Sequence, residues 1–149
     1  MKDQLPEHLD EYICFAVYSA QHAINRAYKP LLAEIGLTYP QYITLMALWS
    51  HDHQTVGALC KQLRLDTSTL TPMLKRLQTL GHIRRARSTE DERQVIVSLT
   101  ESGRDLQRHS PAITRCIVEG TGFAAEDLNA LVRTLDQLRG NISGESDLT

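Results

Sequence analysis

No apolar run in these 149 residues approaches the length of a membrane span, so no membrane partner is expected. The opening stretch MKDQLPEHLDEY is acidic where a secretory signal would be basic, which leads to the expectation of a cytoplasmic protein. Cysteine is scarce: Cys14, Cys60 and Cys116 are far apart, odd in number, and form no CxxC pair. That pattern argues against both a static disulfide framework and a zinc site. In a reducing compartment, a disulfide between such residues is a transient event. His51-Asp52-His53 supplies too few ligands to hold a metal, so neither a metal nor another cofactor is expected. Internal repeats and low-complexity blocks are also missing, and only Ser143 to Thr149 reads as a tail.

Net charge is nearly absent too, at −2, which at first argues against a nucleic-acid partner. Its distribution reverses that conclusion. Between Lys61 and Arg93 there are eight Lys/Arg against four Asp/Glu, whereas the remainder carries eight basic and fourteen acidic residues. A basic segment within an acidic body is what a localised phosphate-contacting surface requires. With 42% hydrophobic and 23% charged residues, the chain has the composition of a globular protein rather than a disordered one.

Helical periodicity dominates. From about Glu7 to Glu34, the residues Leu9, Ile13, Val17, Ala20, Ile24, Ala27 and Leu31 recur at steps of three or four and define one face of a long helix. Pro30 is expected to bend or end its last turn, and Gly36 to close it. Thr38-Tyr39-Pro40-Gln41 starts a second helix, with Pro40 where a missing N–H is harmless. Its residues Ile43, Leu45, Met46, Leu48 and Trp49 are expected to be buried. After a polar break over 50–55, Val56, Leu59, Cys60 and Leu63 mark a short third helix. The turn Arg64-Leu65-Asp66 leads to a fourth, from about Thr67 to Leu80, with Leu70, Met73, Leu74, Leu77 and Leu80 inward. Pro72 is expected close to its start, and Gly81 ends it.

Two short helices joined by a tight turn, the second rich in Ser/Thr and Lys/Arg, read as a helix-turn-helix. The next segments, His82 to Arg87 and Gln94 to Leu99, are strand-like, and Ser88 to Arg93 is a polar connector longer than a tight turn needs. A helix-turn-helix followed by a charged hairpin is a winged helix. Thr100 then caps a fifth helix expected to reach about Glu119, Gly120-Thr121-Gly122 breaks it, and a last helix covers about Ala125 to Asn141.

The predicted fold is therefore mainly α with a small β-hairpin wing. Residues 1–36 form a dimerisation and sensor helix, 37–99 a DNA-binding lobe, 100–142 further dimerisation helices, and 143–149 a flexible tail. The apolar faces of the first and last helices exceed what one small lobe can cover, which points to a two-fold homodimer.

On the recognition helix, Ser68, Thr69, Thr71, Lys75 and Arg76 lie on or near the outward face and are candidates for base and phosphate contact in double-stranded DNA. Arg87 or Arg93 would reach the minor groove from the wing, and Arg84 and Arg85 the phosphates at the strand edge. A dimer would read two inverted half-sites about one helical turn apart.

The element order, with LTESG after the wing, resembles the MarR family of regulators across nearly the whole chain, and Asp91-Glu92-Arg93 matches that family's Asp-x-Arg signature. Cys14-Phe15 with Tyr18, Tyr28-Lys29-Pro30-Leu31-Leu32, Leu37-Thr38-Tyr39-Pro40-Gln41-Tyr42 and Leu65-Asp66-Thr67-Ser68-Thr69-Leu70-Thr71-Pro72 are similar to the organic-hydroperoxide-resistance (OhrR) regulators within it.

The resemblance implies a repressor whose Cys14 is oxidised by an organic hydroperoxide. It assigns Tyr28 and Tyr39 of the opposite subunit, with Tyr18 nearby, to supporting the thiolate. It also implies that Asp91 shapes the wing while Arg93 reaches DNA, and that Cys116 of the partner subunit traps the oxidised Cys14 as a disulfide. From its own setting, Cys60 reads as packing. Two other readings remain open at this point. One is a regulator answering to a non-covalent aromatic acid, and the other is a thiol peroxidase using Cys14, although no enzyme activity is expected of a regulator.

Overall fold

The structure, a computed structural model, describes residues 5–144. Its first turn departs from the expected continuous helix. The Glu11 carboxylate accepts the N–H groups of Glu7 and His8, closing a 3-10 turn over Leu9–Glu11, and Tyr12 is extended before α1 begins. Helix α1 (Ile13–Ala33) carries Pro30 in its last turn. Helix α2 (Tyr39–Ser50) opens with a reciprocal cap: Thr38 Oγ1 accepts from the Gln41 N–H, and Gln41 Oε1 accepts from the Thr38 N–H at 3.0 Å.

The expected polar break over 50–55 contains a strand, β1 (Gln54–Thr55). It is too short and too polar to show alternation, and only its distant partner strand defines it: Gln54 sits opposite Val97 and Thr55 opposite Ile96. Helix α3 (Val56–Leu63), capped by Thr55, and α4 (Thr67–Thr79) follow. The hairpin is β2 (Ile83–Arg87) with β3 (Val95–Leu99) in antiparallel register, Ile83 opposite Leu99 and Arg87 opposite Val95. The sheet has three strands in the order β1-β3-β2, so β3 is its centre.

The fifth helix is not continuous to Glu119. It consists of α5 (Glu101–Asp105), a 3-10 turn at Leu106–His109, and α6 (Ser110–Thr121). Pro111 is the reason. It has no N–H to donate and its ring conflicts with the carbonyl four residues back, so the chain tightens before it and restarts with Pro111 in a first turn. Helix α7 (Ala125–Ser143) is the last element among the described residues. Residues 145–149 of the expected tail lie outside the described residues.

The chain divides into two compact units, one ending at Ile113 and the other beginning at Thr114. In the first, Leu45 and Leu48 of α2, Leu59 of α3, Leu70, Leu74 and Leu77 of α4, and Ile83, Val97 and Leu99 of the sheet are buried together. Each such side chain stabilises the fold by about 1.5–3 kcal/mol relative to leaving it in water. Two residues expected inside are not. Met46 is exposed on α2, and Leu80 is exposed because α4 stops at Thr79 and the next residues turn through Gly81 at φ +83°. Pro72 lies sixth of thirteen residues in α4, further from its start than expected.

Helix α1 leaves Ile13, Val17, Tyr18 and Ile24 exposed, and Leu131, Val132, Leu135 and Ile142 are exposed on α7 in the second unit. Among the described residues, no helix is long and apolar enough to cross a membrane.

Candidate nucleic-acid interface and thiol site

Burial along α4 alternates with helical period. Leu70, Leu74 and Leu77 face the core, while Ser68, Thr69, Lys75 and Arg76 are exposed and Thr71 is half-buried. The helix is held from behind by Thr44 of α2, fully buried, whose hydroxyl meets both the Pro40 carbonyl at 2.8 Å and Met73 Sδ at 2.9 Å. The single hydroxyl proton serves one of these acceptors at a time, and the Met73 contact is the one that reaches from α2 to α4.

The wing arginines differ in how they are held. Arg84 is exposed. Arg85 is half-buried and donates through Nε to Gln78 Oε1 at 2.6 Å, tying β2 to the end of α4. Arg87 donates to the Glu92 carbonyl at 3.0 Å and closes the hairpin from within. At the tip, Asp91 Oδ1 accepts from both the backbone N–H and Nε of Arg93 at 3.1 Å, and Oδ2 from its Nη2 at 3.4 Å. The Arg93 side chain, then its backbone N–H, hold the Asp91 carboxyl below its usual range. The Arg93 side chain remains 91% exposed, so the pair aims the guanidinium without burying it.

Sequence reading missed Asp52, which holds the base of the wing. Its Oδ1 accepts from the Leu99 N–H at 2.9 Å and the His53 N–H at 2.8 Å, and Oδ2 pairs with Arg104 at 3.3 Å. Partial burial pushes this carboxyl upward, but the hydrogen bonds from Leu99, His53 and Arg104 together win and hold it below the usual value. One carboxylate therefore joins the end of α2, the last residue of β3 and α5. Nothing local signals this, since Leu99 and Arg104 are 47 and 52 residues away.

Tyr28 and Tyr39, singled out from sequence, do come together, with ring centroids 4.9 Å apart. Tyr42 joins them at 6.0 Å from Tyr28 and packs on Trp49. Tyr42 is buried and donates its hydroxyl to Ser110 Oγ at 3.1 Å. Burial, then the neighbouring tyrosines, raises the hydroxyls of both Tyr28 and Tyr39, so each stays a protonated donor at neutral pH. Tyr18 is elsewhere on α1, edge-on to His22 at 4.4 Å. Cys14 is exposed on α1, in the first unit. Cys116 is exposed on α6, in the second. Cys60 is half-buried, with Sγ 3.7 Å from Thr67 Oγ1 at the helix-turn-helix junction. No group of three residues able to hold a metal occurs among the described residues.

A sequence profile of the transcriptional regulator SarA/Rot family matches residues 26–109, more than half of the chain. The chain belongs to the SarA/Rot family of MarR-like winged-helix regulators. Within this family's reach, the chain is 42% identical over 144 residues to the HTH-type transcriptional regulator TtmR of Methylorubrum extorquens, covering 97% of this chain and 74% of that one. It is 43% identical over 127 residues to the organic hydroperoxide resistance transcriptional regulator of Bacillus subtilis, covering 85% and 86%.

Among solved structures, reduced AbfR bound to DNA superposes with a TM-score of 0.75 at 31% identity, over 90% of this chain and 94% of that one. This SarA/Rot-family protein is thus a DNA-binding transcriptional regulator of the MarR and OhrR type, as its motifs imply, and its relatives are regulators rather than enzymes.

Proposed function

We propose that this regulator is a homodimeric repressor that leaves its operator when an organic hydroperoxide oxidises Cys14. The observation that carries the reading is Cys14 itself, an exposed and unbridged thiol one helical turn from Tyr18, on a helix whose apolar Ile13, Val17 and Ile24 are also exposed. Similarity to the Bacillus hydroperoxide-resistance regulator and to AbfR, which has been solved in reduced, overoxidised and disulfide-formed states, supports it.

In this reading, residues 1–36 and 100–142 pair two copies and 37–99 read DNA, inside the cytoplasm. Ser68, Thr69, Thr71, Lys75 and Arg76 enter the major groove of an inverted-repeat operator. Arg84, Arg85, Arg87 and Arg93 meet phosphates and the minor groove, and Asp91 orients Arg93.

The Cys14 thiolate attacks the distal peroxide oxygen, an S–O bond forms, the O–O bond breaks, and the alkoxide leaves as the alcohol after taking a proton. Tyr28 and Tyr39 of the partner subunit, kept as O–H donors by their burial, hydrogen-bond the thiolate, with Tyr18 beside it. Phe15 and the apolar helix faces favour a peroxide with an alkyl tail. The thiol of Cys116 of the partner subunit then attacks the sulfenic sulfur, an S–S bond forms and water departs. Closing that bond needs the sulfurs within bonding distance, and the accompanying helix movement respaces the two recognition helices.

The test is a non-reducing gel with intact mass before and after one equivalent of cumene hydroperoxide, using wild type, Cys14→Ser and Cys116→Ser. A reducible covalent dimer that needs both cysteines is expected. Unchanged mass in the reduced wild-type protein would overturn the redox reading and favour a non-covalent effector.

A further inference from the structure

Helix α4 has a proline at its sixth position of thirteen, in the helix interior. Pro72 has no N–H, so the carbonyl of Ser68 loses the donor that every regular α-helix supplies four residues on, and the proline ring tilts that carbonyl away from the axis. Both residues are exposed, while Leu70, Leu74 and Leu77 are buried. A period of 3.6 places Ser68, Pro72, Lys75 and Arg76 along the side opposite those leucines. The interruption therefore lies at the crown of the surface that this family of DNA-binding regulators turns toward the major groove. An interior proline weakens a helix relative to alanine, and the exposed Pro72 is not one of the side chains that fill the core.

We propose that Pro72 is a specificity-positioning residue: it releases the Ser68 carbonyl oxygen to accept a hydrogen bond from the exocyclic amine of a base in the major groove. Each base pair presents one such amine, on adenine N6 or cytosine N4, while its other strand presents a keto oxygen on thymine or guanine. A main-chain carbonyl in fixed position accepts from adenine or cytosine on the strand it faces. Opposite guanine or thymine it meets another acceptor, and both oxygens are left unpaired in a desolvated interface. The contact thus reads amine against keto, which neither Thr nor Ser side chains do, because a hydroxyl both donates and accepts. Lys75 and Arg76, donors only, read acceptors or phosphate beside it. The proposal rests on DNA binding alone and is independent of the thiol chemistry.

The test uses the reduced full-length chain and a randomised duplex library, followed by affinity measurements on all single-base variants of the selected duplex. Pro72→Ala restores the N–H and removes the ring conflict, so it retains the helix. Ser68→Ala removes the hydroxyl and keeps the carbonyl.

Wild type is expected to show one position per half-site at which adenine or cytosine is preferred over guanine and thymine by about five- to tenfold. Pro72→Ala brings that preference within about twofold while leaving those at other positions in place, and Ser68→Ala, whatever its overall affinity, keeps it. Replacing the preferred base by its analogue without the amine (purine for adenine, 2-pyrimidinone for cytosine) weakens wild type by the same factor and leaves Pro72→Ala unaffected. The proposal is overturned if wild type has no such position, if Pro72→Ala keeps the preference or loses affinity equally for all duplexes, or if Ser68→Ala abolishes it.

Discussion

Gly103 and His82 approach so closely that a β-carbon on Gly103 would lie 2.0 Å from the His82 carbonyl oxygen. The same carbonyl accepts from the Thr100 N–H at 3.0 Å, and the Gly103 carbonyl accepts from Trp49 Nε1 at 2.9 Å. Thr100 caps α5 by accepting the Gly103 N–H at 3.1 Å and donates to the Gly81 carbonyl. The LTESG motif is thus the clasp that returns the chain from the wing to the start of β2, with glycine demanded by contact rather than by its φ.

Gly103→Ala should accordingly destabilise the fold by about 2 kcal/mol or more, since the obstructing atoms are backbone and cannot rotate away. Urea unfolding followed by circular dichroism checks this, and a midpoint within error of wild type would refute it.

Asp52→Asn should cost about 1–3 kcal/mol, through a weaker acceptor for two backbone N–H groups and loss of the Arg104 pair. The carboxyl is held below its ordinary value in the fold, so its contribution is present at neutral pH and is lost as pH falls through the acid range beneath that value. Unfolding midpoints from pH 6 down to pH 3 should fall less steeply in the variant than in wild type.

His82 behaves in a separate window. Burial lowers its imidazole below the usual histidine value, and its Nδ1 lies 2.9 Å from Ser102 Oγ. The folded state therefore binds fewer protons than the unfolded chain, and stability falls as pH drops below about 6.5. His82→Gln should flatten the change in unfolding midpoint between pH 7.5 and 5.5.

At the wing tip, Arg93→Ala should weaken operator binding about three- to tenfold and reduce the salt slope by about one, as expected for a lost phosphate contact. Asp91→Asn keeps the positive charge but loses its orientation. It should weaken binding by a smaller factor with an unchanged slope in log affinity against log salt.

What was legible in the sequence was local. The faces of α1, α4 and α7 show in the 3.6-residue spacing of their leucines and isoleucines, and the hairpin shows in Val95, Val97 and Leu99. The exposed row on α4 follows because it is the complement of the buried one. What was not legible depends on distant partners: β1 exists only because Val97 and Ile96 are there to pair with it, and Asp52 is defined by Leu99 and Arg104. Arg85 reads from sequence as a phosphate contact at the strand edge, and that Gln78 holds it was not legible, because that pairing depends on how β2 passes α4. Pro111 is a different case: the break before α6 is written in a single residue, and helical periodicity across it conceals the break.

The central place of β3 has a mechanical consequence. It is stitched on one side to β1, which leads directly into α3, on the other to β2, and at its end to Asp52. With Gln78 of α4 also holding Arg85 of β2, the wing is braced to the helices on several sides rather than hinged to them. The guanidinium at the wing tip is thus carried by the whole lobe, like the point of a calliper, rather than by a loose loop.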